Sequence, residues 1–365
     1  MGDRGGDRAR RAEGRALSDD SSLNLFEQQR ANRRRTTILV VGFILFFAWL
    51  GFGGDWIFAQ YTAGAEPGAY RHAFPWIGIV LSVVATGVAW YAFSTGPEKV
   101  LWATGAREIT TARDDRERLL VNVVEEMAIA AALPRPRIWL IPDDDPNAFA
   151  TGHDPKHAHV AVTDGLLTVC NRDELQAVIG HELGHIKNLD VRLMTTLAAL
   201  VGAVLLMRDG IGRAMWHGGR VGGRGGRGGG GKKGGAGPLI ALLLAVWIIS
   251  WLLAPLVTQL LALSVSRKRE FLADAMGAQF TRNPLALASA LQKIEAAAHP
   301  TKSIHRGTAH LCIADPLGRR LNNRTGLFAD ALATHPPMAI RVARLKGMGF
   351  AQLKREQAAG SPEQG

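Results

Sequence analysis

Two apolar runs constrain this chain more than any other feature. Residues 36–54 (TTILVVGFILFFAWLGFGG) are 19 positions without a charged side chain, and residues 74–93 (FPWIGIVLSVVATGVAWYAF) are 20. A helix needs about 20 apolar residues to cross about 30 Å of hydrocarbon, so each run reads as a membrane span. Trp76, Trp90 and Tyr91 stand near the ends of the second run, where amphipathic rings favour the interface. A buried helix of a soluble domain is the alternative, and these lengths speak against it.

The flanks predict an orientation. Nine arginines precede the first run, ending in Arg33, Arg34 and Arg35, whereas Arg71 is the one basic residue between the runs, beside Asp55 and Glu66. Lys99, Arg107, Arg113, Arg116 and Arg118 follow the second run. The positive-inside bias then leaves the N-terminal segment and everything after Phe93 in the cytoplasm. A cleaved signal peptide fits poorly behind a 35-residue polar leader. Three arginines beside an uncleaved anchor are a simpler reading than a twin-arginine export signal.

Two further apolar runs lie later. Residues 193–207 are short for a span, while 239–263 are long enough but carry Pro255 and should kink. Between them, 15 of the 30 residues in 208–237 are glycine and seven are Lys or Arg, a composition that cannot bury a core and is expected to be disordered. If both runs span, this basic loop lies outside, against the charge rule. A re-entrant or surface-lying hairpin avoids that conflict, but spanning is preferred. Either way the chain returns to the side it left.

The expected organisation is therefore an Arg-rich, disordered cytoplasmic leader (1–35), transmembrane helices at 36–54 and 74–93, and a catalytic domain in two parts. The parts, 94–192 and 264–365, are separated by the hydrophobic hairpin at 193–263. The fold class is an integral membrane protein, mainly α with a small β-sheet, its α+β domain attached to transmembrane helices. With 47% hydrophobic and 21% charged residues, wholesale disorder is excluded. Cys170 and Cys312, the only cysteines, exclude a disulfide scaffold and lack the paired spacing of a structural zinc site.

The chemistry concentrates in NRDELQAVIGHELGHIKNLD, residues 171–190. Asn171 followed by Glu174 predicts a capping pair opening a helix, and Leu175, Val178, Ile179 and Ile186 recur at helical spacing. On that helix His181 and His185 are four apart, so both imidazoles share one face and can grip one zinc ion. Glu182, one residue on, can take a proton from a water that the metal activates. Gly180 and Gly184 would let another backbone or a substrate approach closely. A solvated charged helix face is the alternative reading. A hydrolytic zinc site wants a third protein ligand and one open position. Just after the fourth apolar run, Glu270 and Asp274 are again four apart. Glu270 can ligate while Asp274 accepts the outer N–H of a ligating histidine, although spacing alone equally suits a salt-bridged helix start beside Arg267, Lys268 and Arg269.

HELGH, followed past a hydrophobic hairpin by EFLAD, resembles the HtpX-type membrane-bound zinc metalloproteases, a gluzincin group that also holds the CAAX prenyl proteases. The resemblance extends over PNAFATG (146–152), VAVTDGLL (160–167), EFLADAMG and THPP with Arg341 following. It implies a zincin-like α+β fold with His181, His185 and Glu270 as ligands of one zinc ion per chain, and Glu182 as general base. Asp274 becomes the partner of a ligating histidine. Asn147, Ala148 and Phe149 become candidates for pairing with an extended substrate, which reads backbone and suits broad tolerance of sequence. His335 and Arg341 fall near the family's active site, where one of them would stabilise an oxyanion. The Arg-rich leader, the 208–237 loop and extra residues between Phe328 and Thr334 depart from the family pattern.

The implied function is a zinc-dependent membrane endopeptidase of a bacterial inner membrane. It would be multi-pass, with its N-terminus and catalytic domain in the cytoplasm, and would cut cytoplasmic parts of misfolded or damaged membrane proteins as quality control under stress. Its partners are the lipid bilayer and protein substrates. Two rivals remain: a processing peptidase of the CAAX-protease kind, and a non-enzymatic adaptor whose Arg/Gly loop binds anionic lipid or RNA. Apart from Trp216 the loop lacks interleaved aromatics, so no specific nucleic acid is expected.

Overall fold

The computed structural model describes residues 4–64, 66–200, 267–297, 311–313 and 336–360. Helix α1 (Arg4–Thr62) and helix α2 (Trp76–Ala103) pack against each other. Both are long and apolar enough to cross a membrane. They leave large apolar side chains uncovered, among them Leu45, Trp49, Val83 and Trp90 at 52–73% exposure, which water would penalise and lipid would not. The buried Asp55 carboxylate accepts the Ile77 and Gly78 N–H groups at the start of α2, and also lies against His72 Nε2. One helix thus satisfies orphan donors of the other.

Helix α1 reaches back to Arg4, through the leader expected to be disordered over 1–35; Arg, Ala, Glu and Leu favour helix, and extending an existing helix avoids the unfavourable nucleation step. The expected hairpin at 193–263 lies outside the described residues from 201 on, as does the 208–237 loop.

A four-stranded mixed sheet follows: β1 (Arg107–Glu108), β2 (Arg137–Ile141), β3 (Ala148–Gly152) and β4 (Ala158–Thr163), in spatial order β1-β2-β4-β3. β1 runs antiparallel to β2, β2 parallel to β4, and β3 antiparallel to β4, which leaves β3 at an edge. Side chains alternate between two cores, as the period of a strand requires. Ile138, Leu140, Ala150, Val160 and Val162 face a core built with α3 (Asp115–Ala130), α5 (Arg172–Lys187) and α8 (Pro284–Ala296). Trp139, Ile141, Phe149 and Ala161 face the opposite way, onto Val100 and Leu101 of α2 and onto Met194, Leu197 and Ala198. Those last three belong to a helical stretch at 190–200, here α6. The sheet is therefore a middle layer between the helices that carry the chemistry and those that lead to the membrane.

The remaining elements are α4 (Asp164–Val169), α7 (Arg267–Thr281) and α9 (Met338–Gly360). The capping box predicted for α5 is present: the Asn171 side chain takes the Glu174 N–H at 2.9 Å and the Glu174 carboxylate takes the Asn171 N–H at 2.8 Å.

Candidate metal centre

Helices α5 and α7 approach so closely because small residues line their contact. A Cβ added at Gly184 would meet Ala273 Cα at 3.3 Å, and one at Gly277 would meet the His181 backbone nitrogen at 2.9 Å. The close approach foreseen for Gly180 and Gly184 is thus to the backbone of α7. It brings the histidines of one helix against the carboxylates of the other.

His181, His185 and Glu270 each offer a ligand atom, and these atoms lie within 4.8 Å of one another. The two Nε2 atoms are 3.2 Å apart, and the Glu270 oxygens lie 3.8 Å from His181 Nε2 and 3.6 Å from His185 Nε2. Ligands about 2.0–2.1 Å from a tetrahedral zinc ion stand roughly 3.3–3.4 Å apart, so the donor set has the right spread. Four buried carboxylates, Glu182, Asp190, Glu270 and Asp274, face two buried guanidiniums, Arg269 and Arg341. Burial pushes the His185 ring down, but Asp190, Glu270 and Glu182 outweigh it and raise the ring to about 9, so the cluster draws positive charge to the place a dication would take. Burial holds His181 below its ordinary 6.5 despite Asp274, which favours the neutral ring a metal requires.

Both rings are held from behind. His181 Nδ1 lies 2.9 Å from Asp274 Oδ1, as spacing predicts, and His185 Nδ1 lies 3.2 Å from Asp190 Oδ2. Asp190 is a partner that helical spacing misses: it stands five residues after His185, beyond the end of α5, where a turn resets the phase. The turn passes through Leu189 at φ +58°, a left-handed conformation that branched side chains rarely adopt.

Arg341 is fully buried. Its Nε and Nη2 donate to the two Asp274 oxygens at 2.9 and 2.6 Å, its Nη1 donates to the Ile313 carbonyl at 2.8 Å, and Nη1 lies 3.5 Å from Glu270 Oε2. A guanidinium so engaged stands behind the ligands, supporting Asp274 and Glu270, and does not face the cleft as an oxyanion donor would. Burial pushes the Asp274 carboxyl up, but Arg341 outweighs it and holds the group down at about 2. His335 lies outside the described residues, although Pro336 beside it is buried.

Glu182 is buried, and neither of its oxygens accepts a hydrogen bond of ordinary geometry. Burial pushes its carboxyl up to about 7 against the pull of His185, with Glu270 pushing the same way as burial. The opening of the site is at His185, whose side chain is 16% exposed against 0–4% for His181, Glu270 and Asp274.

The edge strand β3 corrects one detail. Asn147 and Phe149 turn their backbones toward β4: the Asn147 carbonyl accepts the Thr163 N–H at 3.0 Å, and Phe149 pairs with Ala161. Ala148 and Ala150 therefore direct their peptide groups outward. The Ala148 carbonyl is taken by the Ile313 N–H at 2.9 Å and the Gly152 N–H by Thr195 Oγ1 at 3.2 Å. Ala150 lies between them with its N–H toward Glu182. Of the candidates Asn147, Ala148 and Phe149, only Ala148 points outward, and Ala150, within the same motif, is the outward residue that set leaves out. The alternation of the strand was the signal for it.

Residues 114–349 match the model of peptidase family M48. The chain is 37% identical over 329 residues to a protease HtpX homolog of Thermoanaerobacter pseudethanolicus, covering 90% of this chain and 99% of that one. It is 36% identical over 324 residues to a protease HtpX homolog of Streptococcus gordonii, covering 89% and 100%. Among solved structures, S. mikatae Ste24p is similar at a TM-score of 0.43 and 17% identity, over 88% of this chain and 67% of that one.

Proposed function

We propose that this chain, which belongs to peptidase family M48, is a membrane-bound zinc endopeptidase that cuts cytoplasmic parts of membrane proteins, misfolded or damaged ones above all. That it is a metalloprotease acting on protein follows from the family. The zinc, the residue roles and the cellular setting are our reading. The observation that carries it is the convergence of His181, His185 and Glu270 beside the buried Glu182.

One zinc ion, held by His181, His185 and Glu270, would polarise the scissile carbonyl and acidify the attacking water. Glu182 takes the proton from that water and passes it to the leaving amide nitrogen. Burial raises the proton affinity of the Glu182 carboxyl, which helps it accept the proton before passing it on. Asp274 and Asp190 hold the histidine rings so that each Nε2 is left for the metal. Arg341 keeps Asp274 ionised and its two oxygens fixed. An extended peptide would add to the β3 edge at Ala150, since the Ala148 carbonyl is already taken by Ile313, reading backbone more than side chains.

The membrane setting rests on α1 and α2, whose exposed apolar faces suit lipid, and on α6, which leads away from His185 within a few residues. A site so close to the surface suits loops and tails emerging from the bilayer. We place the N-terminal segment and the catalytic domain on the cytoplasmic side of a bacterial inner membrane, in a multi-pass topology, from the arginine bias of the flanks.

The test is casein hydrolysis by detergent-purified protein, kept in chelator during purification and then given zinc, beside Glu182→Gln. Hydrolysis that stops with chelator, returns with zinc and is missing in a variant that still binds zinc supports the assignment. Full activity in Glu182→Gln would sink it, and a zinc-loaded wild type inert on casein would point to a narrow-specificity peptidase.

A further inference from the structure

Helix α1 does more than anchor the chain, because its polar stretch before residue 36 reaches the metal centre. The Asn32 side chain is buried, and its amide nitrogen spends both hydrogens on one turn. It donates to the Asn188 carbonyl at 3.1 Å and to Asp190 Oδ1 at 2.7 Å. The other Asp190 oxygen lies 3.2 Å from Nδ1 of His185. One turn earlier on α1, Gln29 Nε2 donates to the Lys187 carbonyl at 2.7 Å.

The turn needs such help. The last carbonyls of a helix lack intrahelical partners, and Leu189 adopts φ +58°, which disfavours a branched residue by about 1–2 kcal/mol. Asn32 grips the residues on both sides of that strained position. Were the turn to relax, the Asp190 carboxylate would move away from His185, and the ring would lose the contact that sets its rotation and leaves Nε2 to the metal. The Arg269 guanidinium stands 3.9 Å from Asp190 and is a weaker restraint.

We infer that Asn32, on the first membrane helix, is a positioning residue for the metal centre, acting through the 188–190 turn and Asp190 on His185. The inference rests on the reading of His181, His185 and Glu270 as zinc ligands. It makes the membrane helix part of the site's construction.

The experiment uses the full-length protein in detergent and compares wild type with Asn32→Leu, Asn32→Ala and Gln29→Leu. Zinc affinity is measured by competition with a chromophoric chelator, and ring placement by the visible absorption of the cobalt-substituted protein. Asn32→Leu is close in size but leaves Asp190 Oδ1 and the Asn188 carbonyl without their donor. Loss of the partner directly behind a ligating histidine weakens metal binding by roughly 10–100-fold; Asn32 acts one step further out, through Asp190, so Asn32→Leu should lose about 10-fold, the low end of that range, with an altered cobalt spectrum. Asn32→Ala, where a water can enter, should fall less. Gln29→Leu removes a docking bond of the same helix without touching Asp190 and should stay within about 2-fold of wild type.

Unchanged affinity and spectrum in a folded Asn32→Ala or Asn32→Leu overturns the inference, and so does an equal loss in Gln29→Leu. If neither Asn32 variant folds, the residue is a general docking contact and the inference again fails. A wild type that binds no zinc would fail the metal reading itself, which separates the two.

Discussion

The contact between α5 and α7 sets the distance between the histidines and Glu270, and Gly277→Ala perturbs it directly. The new Cβ would lie 2.9 Å from the His181 backbone nitrogen, 3.2 Å from its Cα and 3.3 Å from the Gly180 carbonyl carbon. All three are backbone atoms, so no rotamer change relieves the clash. Ordinary contact begins near 3.4 Å, and the helices must part by about 0.5 Å, a displacement well-packed interiors resist. Overpacking of this kind costs about 1–3 kcal/mol, while alanine gains about 1 kcal/mol over glycine inside a helix. The net is a loss of about 1 kcal/mol, a fall of a few degrees in Tm. The local effect is larger. Metal ligands must hold to within about 0.5 Å, and here His181 moves away from Glu270 and Asp274 together. Zinc affinity should drop roughly 10-fold or more, and kcat/KM by about 10–100-fold, since a displacement of about 1 Å can cost about 100-fold. Melting curves with and without zinc, chelator competition and casein hydrolysis read the three effects. Gly347→Ala is the control: nothing lies within 4 Å of its added Cβ, so it should show the propensity gain alone. A Gly277→Ala protein as stable as Gly347→Ala, with zinc affinity within 2-fold of wild type, would refute the claim that this glycine sets the ligand spacing.

Arg341→Met leaves Asp274 buried without its guanidinium, which should cost about 3–5 kcal/mol and loosen His181. Arg341→Lys should recover little, because one ammonium cannot span two carboxylate oxygens and the Ile313 carbonyl. Chemical denaturation checks both, and a loss below about 1 kcal/mol in Arg341→Met would contradict the supporting role. Glu174 provides a pH test. Burial pushes its carboxyl up, but bonds from Lys293, Ser289 and the Asn171 N–H outweigh burial and hold it below 4.5. Its contribution to stability is therefore present above about pH 4.5 and lost as the pH falls through the lowered value. Glu174→Gln should be destabilised near neutral pH and converge on wild type in acid. A stability difference that stays constant as the pH falls from neutral to well below 4.5 would dispose of that account.

What could be read in the sequence was local and periodic. The Asn171–Glu174 capping box, the two apolar spans and the pairs at 181/185 and 270/274 each follow from a repeat of 3.6 residues or from a length set by the bilayer. Each appears in the structure near its predicted place, the spans with longer helices than the uncharged runs alone suggested. The leader shows the opposite limit: its charge density argues against a packed core, but a helix needs no core when it grows from one already formed. The choice of Asn147 and Phe149 failed at register: a strand motif shows which residues lie along an edge, but pairing with β4 decides which peptide groups face outward.

Apart from Asp274, the roles of the supporting residues carried no spacing signal, for a physical reason that also explains their importance. Ligands face the metal, so two of them share a helix face and leave a spacing in the sequence. Their supports face the ligands, and must come from whichever element lies behind. For His181 that is Asp274 on α7, still within helical spacing of Glu270. For His185 it is Asp190, reached only by breaking the helix at Leu189, with Asn32 closing the gap from 158 residues earlier in the chain. Arg341 reaches Asp274 across 67 residues. None of these separations carries a period. They exist because a ligating ring or carboxylate turns about its own bonds unless a hydrogen-bonding partner on its far side fixes it. A site that must keep an open position for substrate has no fourth protein ligand to stiffen it. Its rigidity has to come from behind, from α7, α9 and the membrane helix α1 together.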